Sequence, residues 1–255
     1  MGVLLKLDSS TTKQNSQNFT IQYPGGLTLN TDPNRTKTYE VALITANLWY
    51  SWHNIDADFS NNTLRYYNGS TWKNVTIPDG IYDISAINDY LHQEMKANGD
   101  STTNAAGEDI FDIEIVPNFN TLRCKVEISN SYQLDLSVSS LNSLLGFASK
   151  IVTATEEGTN GVDITRGVNS LVIHCSIVTG SYENSTGSDV LYTFVPRSSP
   201  GSNIEVSPNY PIYLPLSESR QIMSINMRIT DQQGRLINFN GENVTYVIHI
   251  REASD

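Results

Sequence analysis

Cysteine is nearly absent: Cys124 and Cys175 are the only two in 255 residues, too few for a disulfide framework. Each lies in an alternating apolar run, where a thiol behaves as a small buried hydrophobe, and such sparse use suits a reducing compartment. No apolar run reaches the roughly 18 residues of a membrane span. The start, MGVLLKLDSS, lacks a small-residue cleavage site, so no secretory signal is expected. Basic residues number 16 against 27 acidic ones, a net charge of −11, and no Lys/Arg cluster interrupts that balance. An acidic surface repels phosphate backbones, so direct nucleic-acid binding is not expected.

Catalytic patterns are equally scarce. Of the four histidines, His53, His92, His174 and His249, none sits in H-E-x-x-H, and neighbours such as His174 and Cys175 point to opposite faces of a strand. No G-x-S-x-G elbow occurs. Acidic pairs such as Glu156-Glu157 or Asp109 with Asp112 fit solvated loops and strand edges. A glycosidase could still draw two carboxylates from distant strands, so a hydrolase ranks third among the readings. No catalytic, cofactor-binding or metal-ligating residue stands out, and no cofactor is expected.

What is present is alternation of apolar and polar residues from end to end, the signature of half-buried strands. Leu122, Cys124, Val126 and Ile128 share one face; so do Phe111, Ile113 and Ile115; Tyr132, Leu134, Leu136 and Val138; Leu171, Ile173, Cys175 and Ile177; and Met223, Ile225, Met227 and Ile229. YEVALITANLWYSW is continuously apolar, as in a central strand covered on both faces or an interface strand. Asn68-Gly69 between two β-prone runs predicts a type I′ hairpin. The C-terminal stretch Arg228 to Glu252 reads as two hairpins in a row, with turns at Asp231 to Gly234 and at Asn240-Gly241, and with Val244, Tyr246, Ile248 and Ile250 on one face.

One helix interrupts the strands. Ile84, Ile87, Leu91 and Met95 form a single stripe, Asp83 or Ser85 can cap its start, and Asn98-Gly99 offers a left-handed stop. The composition fits one all-β domain of eight to ten strands, a sandwich or barrel with long loops. Residues 1–20 are set apart as an N-terminal arm, reaching a neighbour or simply frayed. Residues 21–255 form the β-domain, with a helix and loop insertion near 83–109. The aromatics Trp49, Trp52 and Trp72, with Tyr50, Tyr66 and Tyr67, fill a core or subunit interface, or alternatively stack on sugar rings as in a lectin or adhesin module.

NSLLGF (Asn142 to Phe147), GVNSLVIHCSIVTGSYENSTGSDVLYTFVP (Gly167 to Pro196), PIYLPL (Pro211 to Leu216) and the C-terminal stretch resemble, in this order, the minor capsid (penton) proteins of Polinton/Maverick elements, adintoviruses and related virophages. The resemblance is best over Asn142 to Glu252 and extends more loosely over Tyr39 to Ile128. It implies a single jelly roll of about eight strands in two sheets, a structural rather than enzymatic role, and a homopentamer at the five-fold vertices of an icosahedral virion. The implied partners are trimers of a double jelly-roll major capsid protein and a host receptor, with no membrane. The carbohydrate-binding β-sandwich, with Trp49, Trp52 and Trp72 on sugar, is the alternative.

Overall fold

The computed structural model describes residues 2–29, 37–164, 168–217 and 221–253. Met1 of the expected arm and Gly167 of the resembling stretches lie outside them. The chain opens with β1 (Gly2–Asp8), β2 (Asn18–Thr28), β3 (Tyr39–Trp49), β4 (Thr63–Tyr67) and β5 (Trp72–Thr76), followed by helix α1 (Ile84–Ala97). Next come β6 (Thr102–Thr103), β7 (Asp109–Ile110), β8 (Ile113–Asn118), β9 (Arg123–Ile128), β10 (Gln133–Asp135), helix α2 (Leu141–Leu144), β11 (Ile151–Val152) and β12 (Glu156–Glu157). The last third holds β13 (Leu171–Cys175), β14 (Ser181–Glu183), β15 (Thr186–Ser188) and β16 (Val190–Phe194). It ends with β17 (Asn203–Val206), β18 (Leu214–Pro215), β19 (Gln221–Asp231) and β20 (Thr245–Glu252). Two compact units result: residues 1–52 with 168–255, and residues 53–167.

The first unit is a sandwich of two antiparallel sheets, ordered β1-β20-β3-β17 and β16-β13-β19-β2, with β18 also on β3. The pairing is nested. The first strand pairs the last (β1 with β20), the second pairs the second-last (β2 with β19), the third takes β17 and the fourth, β13, takes β16. One long hairpin rolled over two sheets has this order, and it is the jelly roll. Alternation dictates which side chains meet between the sheets: Leu7, Val41, Leu48, Tyr246 and Ile248 from one, Phe19, Leu171, Ile173, Ile225 and Met227 from the other. The Phe19 and Tyr246 rings stack across this core at 6.1 Å.

Several sequence expectations change here. Residues 2–8 of the expected arm are a sheet strand, registered residue by residue from Gly2 against Arg251 to Asp8 against Thr245; their alternation is short and was masked by the polar run that follows. YEVALITANLW is a central strand, flanked by β20 on one side and by β17 and β18 on the other. Ile222, not Met223, is buried at the start of β19, because a bulge between Ile222 and Ser224 inverts the alternation there. Of the two expected hairpins the first forms in short, with the Asp231 to Gly234 turn bringing Leu236 opposite Thr230, but the second does not: β19 and β20 belong to different sheets. Phe239 to Glu242 makes the crossing turn, with positive φ at both Asn240 and Gly241 and a Glu242 N–H bond to the Phe239 carbonyl of 3.0 Å. Val244, Tyr246, Ile248 and Ile250 are buried, as their shared face predicts.

The second unit follows β3 in the chain and precedes β13, so the insertion runs from His53 to Gly167 rather than 83–109. It carries sheets β11-β10-β4-β5 and β12-β9-β8 and a core of its own, including Tyr66, Ile87, Leu91, Ile115, Val126 and Leu134. Helix α1 buries Ile84, Ile87, Leu91 and Met95; the Asp83 carboxylate accepts from the Ala86 N–H, and Gly99 takes the left-handed stop at φ 76°. The Gly99 N–H bonds the Lys96 carbonyl and the Asp100 N–H bonds the Met95 carbonyl, a Schellman ending. α1 also covers the outer edge of β8: Asn88 Oδ1 accepts from the Ile115 N–H at 2.7 Å, and His92 Nε2 lies 2.9 Å from the Ile113 carbonyl. Side chains one helical turn apart thus take the place of a neighbouring strand.

Two local readings are corrected in this unit. The β4–β5 hairpin forms, but Tyr67 faces Trp72 across a four-residue loop in which only Gly69 has positive φ. The Asn68 side chain accepts from the Ser70 and Thr71 N–H groups, so an Asx turn replaces the type I′ turn. Leu122 is exposed at φ 55° in the β8–β9 turn and does not share the buried face of Cys124 and Val126.

Candidate interaction surfaces and buried polar networks

Alternation along β13 sends Leu171, Ile173 and Cys175 into the sandwich core and His174 to the opposite face. His174 Nδ1 lies 2.8 Å from Asp189 Oδ1, and its Nε2 lies 3.0 Å from the Thr230 hydroxyl on β19. Arg228 Nη2 donates to the same Asp189 oxygen at 2.8 Å. With Asp189 accepting twice, the consistent tautomer carries its proton on Nδ1, and the Thr230 hydroxyl donates to Nε2. Burial raises the Asp189 pKa, but the bonds from Arg228 and His174 outweigh it and hold the carboxyl below its usual range.

Acid, histidine and hydroxyl in that order are the parts of a nucleophilic relay. Yet Thr230 is 1% and His174 2% exposed, so the hydroxyl has no opening through which a substrate could reach it. The network ties β13, β19 and the segment entering β16 to one another. Sequence reasoning missed it because positions 174, 189, 228 and 230 form no spaced motif. The only visible hint was a histidine and an arginine on the polar faces of two strands.

A second network lies in the inserted unit. Asp135 is fully buried and accepts from the Ser137 N–H at 2.8 Å, the Ser137 hydroxyl at 2.5 Å and Arg65 Nε at 2.7 Å. Burial pushes its pKa up, but these bonds prevail and keep it ionised below the usual carboxylate range. The Arg65 guanidinium sits 4.8 Å over the Trp72 ring, which also packs on Tyr67 at 5.4 Å. Both cysteine thiols are buried, and desolvation pushes each up to about 12. Among the described residues no group of three or more His, Cys, Asp or Glu is placed to hold a metal ion.

Of the three tryptophans of the glycan reading, Trp49 and Trp52 belong to the jelly-roll unit and Trp72 to the inserted unit. Trp52 is 5% exposed, stacked on Tyr50 at 3.9 Å and set edge-on to Phe239 in the jelly-roll core, so it offers no face to a sugar. Trp49, 40% exposed, ends β3 opposite Asn203. Trp72, 37% exposed, belongs to the inserted unit, where Arg65 already occupies one face of its ring.

The outer face of the first jelly-roll sheet carries a further cluster. Tyr213 places its hydroxyl 2.8 Å from His249 Nδ1, Arg251 lies 3.5 Å over the Tyr213 ring, and Arg251 Nε bonds Glu40 at 2.6 Å. His249 and Arg251, which alternate with the buried Ile248 and Ile250 along β20, therefore anchor the link between β17 and β18. That link presents Tyr210 and Ile212 to solvent.

No family model matches the chain, and no curated protein matches it. Among solved structures, the crystal structure of the selenomethionine-labelled mavirus penton protein is similar over 99% of this chain and 100% of that one, at 10% identity and a TM-score of 0.48. The jelly-roll assignment rests on the nested strand pairing of this chain. Among the described residues no helix is long and apolar enough to cross a membrane.

Proposed function

We propose that this chain is a viral structural protein, a penton-type minor capsid subunit that forms homopentamers at the five-fold vertices of an icosahedral virion. The observation that carries the reading is where the resembling stretches fall. LVIHC is β13, VLYTF is β16, LP of PIYLPL is β18, and the C-terminal stretch spans the end of β19 and all of β20. NSLLGF lies apart, at α2 of the inserted unit, while the other stretches of likeness to Polinton, adintovirus and virophage pentons fall on strands of a jelly roll, an architecture common in capsid proteins. Its partners on this reading are copies of itself, trimers of a double jelly-roll major capsid protein and, at the vertex, a host receptor. On this reading the acid–histidine–hydroxyl network, with its histidine and hydroxyl buried, serves to stiffen the sandwich.

A five-fold ring is built from a heterologous contact, one patch of each subunit meeting a different patch of the next. Negative-stain imaging of the purified chain at high concentration tests the reading. Class averages with five-fold rings support it; a field of single particles of monomer size at every concentration contradicts it.

A further inference from the structure

The contact that closes such a ring is readable from one sheet of the sandwich. In the order β1-β20-β3-β17 every neighbour is antiparallel, so the two end strands, β1 and β17, run in opposite directions. A second copy placed beside the first in the same orientation therefore brings its β1 antiparallel to the first copy's β17. That relation is head-to-tail, the kind a closed ring requires.

The side chains at the two ends match. On β1 the core side is Leu7, which leaves Leu4 and Lys6 outward; Leu4 is 65% exposed. On β17 the core side is Ile204 and Val206, which leaves Glu205 outward. The link leaving β17 exposes Tyr210 at 89% and Ile212 at 63%. Each end thus offers apolar surface with charge on the outer face: Lys6, paired with Asp8 at 3.2 Å but still 67% exposed along its side chain, at one end, and Glu205 at the other. Isolated edge strands are usually blunted by proline, bulges or charge. In the other sheet, the edge strand β2 has Pro24 and a bulge in its pairing with β19. β1 has neither proline nor bulge in its pairing, the Lys6–Asp8 pair is the charge it carries, and β20 is its only strand partner among the described residues.

We propose that the β1 edge of one copy packs against the β17–β18 edge of the next copy, with Leu4 against the Tyr210 and Ile212 surface and Lys6 facing Glu205. This rests on the penton reading and names the contact that would build the ring. Charge and apolar complementarity between the two ends, and the antiparallel sense that an even number of strands creates, select a second copy as the occupant.

Cysteine pairs test it, because the two native thiols are buried and pushed up to about 12 and stay silent under mild oxidation. Lys6→Cys with Glu205→Cys in one chain is predicted to give a ladder of disulfide-linked species ending at five copies on denaturing gels. Either substitution alone is predicted to stay a single band. A dimer from Lys6→Cys alone would overturn the inference, since it reports β1 meeting β1. A wild type that assembles while the double variant forms no ladder overturns the inference and leaves the penton reading standing. A wild type that stays monomeric by native mass spectrometry overturns both. As a second readout, Lys6→Glu and Glu205→Lys each weaken assembly at least tenfold, and the two together restore it; failure of that rescue also counts against the contact.

Discussion

Asp135, buried, and Asp189, half-buried, show how a desolvated charge is kept in an acidic protein. Each is surrounded by donors that outweigh its desolvation, so its folded-state pKa lies below the unfolded one. The stability these groups contribute is therefore present above about pH 4, the ordinary aspartate range, and is lost as pH falls through their lowered folded values. Urea midpoints measured from pH 7 to pH 2 should hold steady to about pH 4 and then drop; midpoints that change only above pH 5 would contradict the assignment. Tyr246 presents the opposite case. Its hydroxyl is buried beside Phe19 with no hydrogen-bond partner among the described residues, and burial raises its pKa. Tyr246→Phe should stabilise the fold by about 1 kcal/mol, the penalty of a buried unpaired polar group. A loss of stability in denaturant titration would show that the hydroxyl is bonded after all.

Elements with a strong period were readable in advance and those set by distant partners were not. The α1 stripe, its Asp83 cap and its Gly99 stop follow from local rules, and so do the core faces of β9, β13 and β20. Leu122 and Met223 were placed on the wrong face because a left-handed turn residue and a bulge shift the phase of alternation, and nothing in a single strand reveals either. The role of Asn88 was also hidden, since its partner is a backbone N–H of β8. Asn88→Ala removes that bond and leaves the Ile115 N–H at the sheet edge unpaired, which should cost about 1–2 kcal/mol. Amide exchange at Ile115 should accelerate with it; unchanged protection there would mean that α1 does not cap the edge.

For the whole molecule, the sequence showed an all-β sandwich but not its division in two. The inserted unit is itself made of half-buried strands, so no shift in composition marks residues 53 or 167, and the chain passes from one core to another without a linker signal. Residues 2–8 do not announce themselves as a strand for a related reason: the pairing that makes them one lies with the last strand of the chain, 245–252. Nested pairing places most of a jelly roll's partners far apart in sequence, and alternation along one strand says nothing about them. The central claim is assembly into a five-fold unit, and the mass of the purified chain in solution tests it most directly. Light scattering coupled to size exclusion should give five times the 28.3 kDa chain mass at high concentration, whereas a constant mass of one chain across the concentration range would contradict the account.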